Sequence, residues 1–408
     1  MHTILIVGTY DTKAEELEFL AECIVGQGGQ VCRMDVSVLG DPPCPVEIDK
    51  HAVAGAADSS IAAAIACDDE NAAMQIMARG AALQAARLQA EGRIHGVIAL
   101  GGTMGTDLAL DVCAALPLGV PKMVVSTVSF SAMIPPERLA PDIQMMLWAG
   151  GLYGLNDICR ASLSQAAGAV LGAARTVQRP GATRPLVGMT SFGGSILRYM
   201  HVLKPALAER GFDLAVFHAT GMGGRAFEAL AAQGAFCCVM DFATQEVGNH
   251  LMGSGISAGP ERMTAAGRRG VPQMVAPACN DLVDFIGWQE VPPALQDRPV
   301  HAHNRLLSSA VLGAEERVAV AKALADKLRQ ATGPSVLFLP LLGTHEWDRP
   351  GAPLHDPEGL ATFNAALRAA CPANVPLRAM NCHINDPAFC DTVLAQFDAW
   401  LKDGTIRV

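Results

Sequence analysis

Two glycine–threonine steps in the first quarter of the chain have the make-up of an anion site. Gly8-Thr9 runs into Tyr10-Asp11-Thr12-Lys13, and Gly101-Gly102-Thr103 runs into Met104-Gly105-Thr106-Asp107. A glycine at a strand end lets the backbone approach a ligand, and the N–H groups that open the next helix attract phosphate or carboxylate oxygens. A third turn, Thr220-Gly221-Met222-Gly223-Gly224-Arg225, offers a further cradle of N–H groups. His218 stands just before it, where an imidazole can hydrogen-bond a phosphate or donate a proton.

Asp241, Glu246 and His250 form the next group. Glu246 and His250 are four apart on an expected helix, so both can face one way, which suits acid–base work or a metal. Three polar loops follow, carrying His301 and His303, His345, and His383. With His218 and His250 they leave open a metal-assisted hydrolase or lyase acting on a small acid. No Gly-Lys-Ser/Thr or Gly-x-Gly-x-x-Gly pattern occurs at the N-terminal turns, and no His-Glu-x-x-His or Cys-x-x-Cys pattern occurs later. A zinc signature is therefore missing.

Strand–turn–helix units must position these residues. Ile4-Leu5-Ile6-Val7 leads into the first turn and a helix over 12–26, and Gly96-Val97-Ile98-Ala99-Leu100 leads into the second. Further strands are expected at 30–36 and 122–127, with a helix or helix pair from about Asp58 to Glu91. Alternation of this kind means a parallel sheet with helices on both faces. The stretch Gln178–Pro185 holds two prolines and a glycine and reads as a linker, 179–185, between domains at 1–178 and 186–408. Beyond it the pattern restarts with Leu186–Ser195, Asp213–His218 and Phe236–Asp241, as a duplication would produce. The expected fold is α/β: two Rossmann-like, doubly wound parallel-sheet domains facing an interdomain cleft, where ligands of such sheets bind.

Bulk properties narrow the function. The net charge of −10 and the lack of a basic block exclude a nucleic-acid scaffold. Twelve scattered cysteines, with Cys237-Cys238 inside an apolar run, fit a reducing compartment. The first residues enter a strand directly, with no signal segment or apolar span of about 20 residues. A soluble cytoplasmic protein without membrane or nucleic-acid partners is expected.

Taken together, Val7-Gly8-Thr9 with Asp11-Thr12-Lys13, Gly101–Thr106 and Phe217–Gly224 resemble the Tm-one-like ATP-binding family, bacterial and fungal proteins similar to the N-terminal half of a plant tobamovirus-resistance protein. Gly270-Val271-Pro272-Gln273, His303-Asn304, Asp356-Pro357-Glu358 and His383–Asp386 extend the likeness over nearly the whole chain. The chain departs from the family pattern at Pro277–Phe285 and in the loop Asp241–Glu246.

The resemblance implies two Rossmann-like subdomains, an ATP site between or beside them, and a homodimer; it implies no reaction. Carried over by motif, nucleotide contacts fall on Gly8, Thr9, Asp11, Gly101, Gly102, Thr103, Gly105, Thr106 and Ser126, with Thr220, Gly221, Gly223 and Gly224 from the second half. The expected function is ATP binding with Mg2+, its cation held by Asp11 or Asp107, with His218 and Glu246 as catalytic candidates and a small carboxylate as the group activated. A transition metal and a non-catalytic, ligand-binding regulator are the alternatives.

Overall fold

The computed structural model describes residues 1–178 and 183–407; residues 179–182 of the expected linker lie outside them. The chain divides into two compact units, Met1–Gly181 and Ala182–Val408. Among the described residues no helix is long and apolar enough to cross a membrane.

The first unit runs β1 (Thr3–Gly8), α1 (Tyr10–Gly26), β2 (Gln30–Asp35), α2 (Lys50–Ala56), α3 (Ile61–Ala66), α4 (Glu70–Ala90), β3 (Gly96–Gly101), α5 (Thr103–Ala114), β4 (Lys122–Ser126), β5 (Ile143–Leu147) and α6 (Asp157–Thr176). All five strands are parallel, in the order β2-β1-β3-β4-β5. Period-2 alternation splits the interior into two layers. Ile4 and Ile6 pack under α1 and α6, whereas Leu5 and Val7 pack under α2, α4 and α5. Buried Leu17, Leu20, Ala21 and Ile24 give α1 its apolar stripe.

The expected helix over Asp58–Glu91 is a pair. Asp68 breaks it with a positive φ of 49°, and the Asp69 carboxylate accepts the Ala72 N–H at 2.6 Å to start α4. Strand β5 had no clear sequence signal, because at the sheet edge it is only partly buried and shows no clean alternation.

The second unit runs β6 (Leu186–Ser191), α7 (Ser195–Glu209), β7 (Asp213–His218), α8 (Met222–Ala232), β8 (Cys238–Asp241), α9 (Gln245–Leu251), α10 (Ala265–Arg268), β9 (Gln273–Val275), β10 (Leu282–Ile286), β11 (Val300–Ala302), β12 (Leu307–Val311), α11 (Ala314–Arg329), β13 (Ser335–Pro340), α12 (Pro357–Ala370), β14 (Leu377–Met380) and α13 (Pro387–Lys402). Its six-stranded parallel sheet has the order β14-β13-β9-β8-β6-β7. Helices α7 and α13 cover one face, and α11 and α12 the other. A small antiparallel sheet, β10-β12-β11, is an addition that the alternating pattern does not announce. Both units are α/β and Rossmann-like, and in each the first strand is flanked by the second and third.

Candidate functional site

Where β1 is flanked by β2 on one side and β3 on the other, the connections leave in opposite directions and open a crevice at the strands' C-terminal ends. A cavity of about 880 Å³ lies there, lined by residues of the first unit alone. Gly8, Thr9 and Asp11 reach it from β1, and Gly101, Gly102, Thr103 and Gly105 from β3. The two glycine–threonine steps, far apart in sequence, share one space because β1 and β3 pair directly.

They are not equivalent. At the start of α1 the Tyr10 N–H donates to Asp35 Oδ1 at 3.1 Å, and the Asp11 N–H to Ser37 Oγ at 3.2 Å. The Thr12 and Lys13 N–H groups both turn back to the Thr9 carbonyl. Asp11 is itself a staple, accepting from the Ser37 hydroxyl at 2.9 Å and the Gly40 N–H at 3.1 Å. Gly8 serves packing, since a Cβ there would meet the Leu17 side chain at 2.7 Å.

The start of α5 is open. Gly102 precedes it with no side-chain cap, and among the described residues the N–H groups of Thr103, Met104 and Gly105 take no hydrogen bond. Those three donors lie at the positive end of a 12-residue helix and border the cavity. Gly101 makes the close approach possible, because a Cβ there would lie 2.6 Å from the Gly105 Cα. Thr106 and Ser126 do not line the cavity. Their hydroxyls lie 2.6 Å apart and buried, and Thr106 Oγ1 also donates to the Gly102 carbonyl at 2.6 Å. They brace the turn from behind. Asp107 is engaged by Arg138 at 2.6 Å and does not line the cavity either.

Several lining residues carried no motif. Val36, Val38, Leu39, Ile65, Met74 and Met77 form an apolar wall, and Asp68, Asp69 and Glu70 an acidic edge. With Asp11 that makes four carboxylates, against the single ammonium of Lys13. Asp35 and Ser37, which hold α1, could have been suspected from an acid at the end of a second strand in a doubly wound sheet.

The glycine turn of the second unit is filled from within. Glu246, 25 residues beyond Gly221, accepts the Gly221 N–H at 2.6 Å and the Gly224 N–H at 3.3 Å. The cradle read from the sequence thus holds a carboxylate of the chain itself. Gly221 has φ +85°, and a Cβ on Gly223 would lie 1.8 Å from the His218 carbonyl oxygen. Thr220 closes the turn with its N–H on that same carbonyl. Gly224→Ala would push a Cβ to 1.9 Å from Glu246 Oε2. The expected cost is about 2 kcal/mol of second-unit stability in urea unfolding.

Glu246 also binds Arg262, whose five N–H donors all have acceptors. Nε donates to Glu246 Oε2 at 2.7 Å, Nη1 to Asp241 Oδ2 at 2.5 Å and Glu228 Oε1 at 3.1 Å, and Nη2 to Asp241 Oδ1 at 2.6 Å and the Ala243 carbonyl at 2.9 Å. Burial pushes the Glu228 and Glu246 carboxyls up, and Arg262 pulls them back. Glu246 is fully buried while His250, at the end of the seven-residue α9, is exposed, so the two do not face one way.

His218 stacks on Phe192, ring centroids 5.6 Å apart, and burial together with nearby His303 lowers its pKa. His301, His303 and His345 surround Trp347 at 4.3, 5.9 and 5.7 Å. His345 takes the Trp347 N–H on Nδ1 and meets Asp281 with Nε2 at 3.0 Å. His383 takes the Asn385 N–H on Nδ1 and meets Asp348 with Nε2 at 2.7 Å. Both rings have each nitrogen engaged, which leaves no lone pair for a metal. Among the described residues no group of three His, Cys, Asp or Glu side chains is arranged to hold one.

Residues 2–179 match the N-terminal domain, and residues 184–401 the C-terminal domain, of the Uncharacterised protein family UPF0261. A UPF0261 protein of Brucella melitensis is 51% identical over 403 residues, covering 99% of this chain and 96% of that protein. One of Clostridium tetani is 35% identical over 95% of this chain and 96% of that protein. The ToMV susceptible protein tm-1(GCR26) of Solanum lycopersicum is 27% identical over 97% of this chain, which spans 55% of that protein. Among solved structures, MurG of Acinetobacter baumannii aligns over 91% of this chain and 96% of that one at 14% identity, with a TM-score of 0.22, too low to carry a functional reading. With both of its domains matched in order, the chain belongs to the UPF0261 family.

Proposed function

We propose that the first unit binds ATP together with Mg2+ in the crevice between β1 and β3. The carrying observation is the open start of α5, where three adjacent N–H groups without partners face a cavity of about 880 Å³. Phosphate oxygens satisfy such donors directly. The apolar wall of Val38, Ile65 and Met74 suits a purine ring, and the volume falls within the range of small-molecule sites. The acidic edge supports the need for a cation: four carboxylates against one ammonium repel a bare polyphosphate, and Asp68, Asp69 and Glu70 would hold a hydrated Mg2+ that offsets this repulsion. Asp11 stays in this picture as the staple that sets the loop after β2.

Titration calorimetry with the full chain tests the reading. MgATP is expected to bind with micromolar affinity, and removal of Mg2+ by EDTA to weaken binding at least about tenfold. No heat at millimolar MgATP sinks it. Activation of a small carboxylate is the chemistry proposed to follow, read out as phosphate or pyrophosphate release that depends on added acid.

A further inference from the structure

The cavity of the first unit has one cationic side chain in its wall, and that side chain also holds a neighbouring loop. Lys13 borders the cavity at a break in α1, where its backbone (φ −127°, ψ 21°) leaves helical geometry. Its ammonium donates to the Leu152 carbonyl and lies over the Tyr153 ring, 4.5 Å from the centroid. Both partners belong to the segment 148–156, which joins β5 to α6.

Helix α1 grips this loop at two points one turn apart. Lys13 holds Leu152 and Tyr153, and Glu16 Oε1 accepts the Gly154 N–H at 2.9 Å. Inside the loop Trp148 Nε1 donates to the Gly151 carbonyl at 2.5 Å. Leu152 sinks its side chain into the layer under α1 and α6, whereas Tyr153 is 93% exposed. Gly151 and Gly154 have φ of +75° and +88°, conformations that glycine adopts without strain. The loop is therefore built to turn sharply, and its exposed tip rests on the lysine.

Two sets of partners compete for that ammonium. A neutral carbonyl and an exposed ring hold it weakly, whereas phosphate oxygens form charge-assisted hydrogen bonds with it. With Asp11, Asp68, Asp69 and Glu70 also in the wall, a polyphosphate meets no other cationic side chain there. Phosphate is the stronger claimant.

We propose that Lys13 contacts the phosphates of the bound nucleotide, and that its transfer from Leu152 and Tyr153 loosens the 148–156 loop. The loop then responds to whether the cavity is filled. This inference rests on the nucleotide reading above and adds to it a residue and a linked conformational change.

Calorimetry and hydrogen exchange on the full chain test it together. By linkage, contacts that the lysine must leave on the loop oppose nucleotide binding. Tyr153→Ala removes one of them and is expected to tighten MgATP binding about two- to fivefold, the size of an exposed cation–π contact. Lys13→Met keeps the apolar stem and is expected to weaken binding at least about tenfold, with Lys13→Arg restoring most of the loss. A merely structural contact would not shift affinity in opposite directions from its two ends. Amides at 151–154 are expected to exchange at least about fivefold faster with saturating MgATP, and equally fast in Lys13→Met without nucleotide. MgATP binding with unchanged exchange overturns the proposal and leaves the nucleotide reading standing. So does a Tyr153→Ala protein, shown folded by its melting temperature, that binds MgATP no more tightly than the unaltered chain. Absence of MgATP binding to the unaltered chain overturns both.

Discussion

Gly102→Asp is expected to stabilise the first unit while removing MgATP binding. The backbone accepts the change: φ is −77° and ψ −150°, and a Cβ would have only Thr127 Oγ1 nearby, at 3.8 Å. An aspartate before the first helical residue accepts N–H groups two or three positions on, here those of Met104 and Gly105. Capping and the helix dipole together contribute about 0.5–1 kcal/mol, or roughly 2 °C in the melting temperature. The same carboxylate then occupies the donors proposed for phosphate and repels it. Affinity falls at least about thirtyfold, ~2 kcal/mol. Gly102→Asn supplies a comparable cap without charge and is expected to lose less affinity. Opposite signs for stability and binding distinguish this outcome from general damage. Undiminished MgATP binding by Gly102→Asp would place the anion elsewhere.

Arg262→Ala is expected to be the most destabilising single change in the second unit. The side chain is 0% exposed and pairs with Asp241, Glu246 and Glu228, each of which is 8% exposed or less. Removal strands three buried carboxylates, and breaking a buried pair from one side costs about 3–5 kcal/mol. The loss also frees Glu246, which holds the Gly221–Gly224 turn, so the damage spreads to the end of β7. Tryptophan fluorescence in urea follows this unit well, because Trp288, Trp347 and Trp400 all belong to it. Arg268→Ala is the control. Its pair with Glu261 is exposed on both sides, and such pairs contribute less than about 1 kcal/mol. Equal midpoints for the two variants would refute the role given to Arg262.

These two residues also mark how far the sequence could be read. Gly102 stood inside a motif and could be named as a candidate from local chemistry. Arg262 stood in no pattern, because its partners are 16, 21 and 34 residues away and meet only in the folded unit. Glu246 was visible as an ionisable residue but misread as paired with His250. Helical spacing brings residues to one face of an isolated helix, and it says nothing about which part of α9 the core will swallow. The wall of Ile65, Met74 and Asp68 was likewise hidden, since only the packing of α3 and α4 in one layer with β2 carries it to the cavity bordered by Gly101–Gly105.

Local order in the chain was enough for the alternation of strands and helices, the break near each glycine turn, and the α/β class, because period-2 burial and helix-opening residues act over a few positions. Tertiary structure alone decided which backbone donors remain available. Tyr10 and Asp11 lose theirs to Asp35 and Ser37, and Gly221 and Gly224 lose theirs to Glu246, while Thr103, Met104 and Gly105 keep theirs. Similar glycine turns thus differ in the donors they leave available, because a distant side chain either fills the turn or leaves it empty.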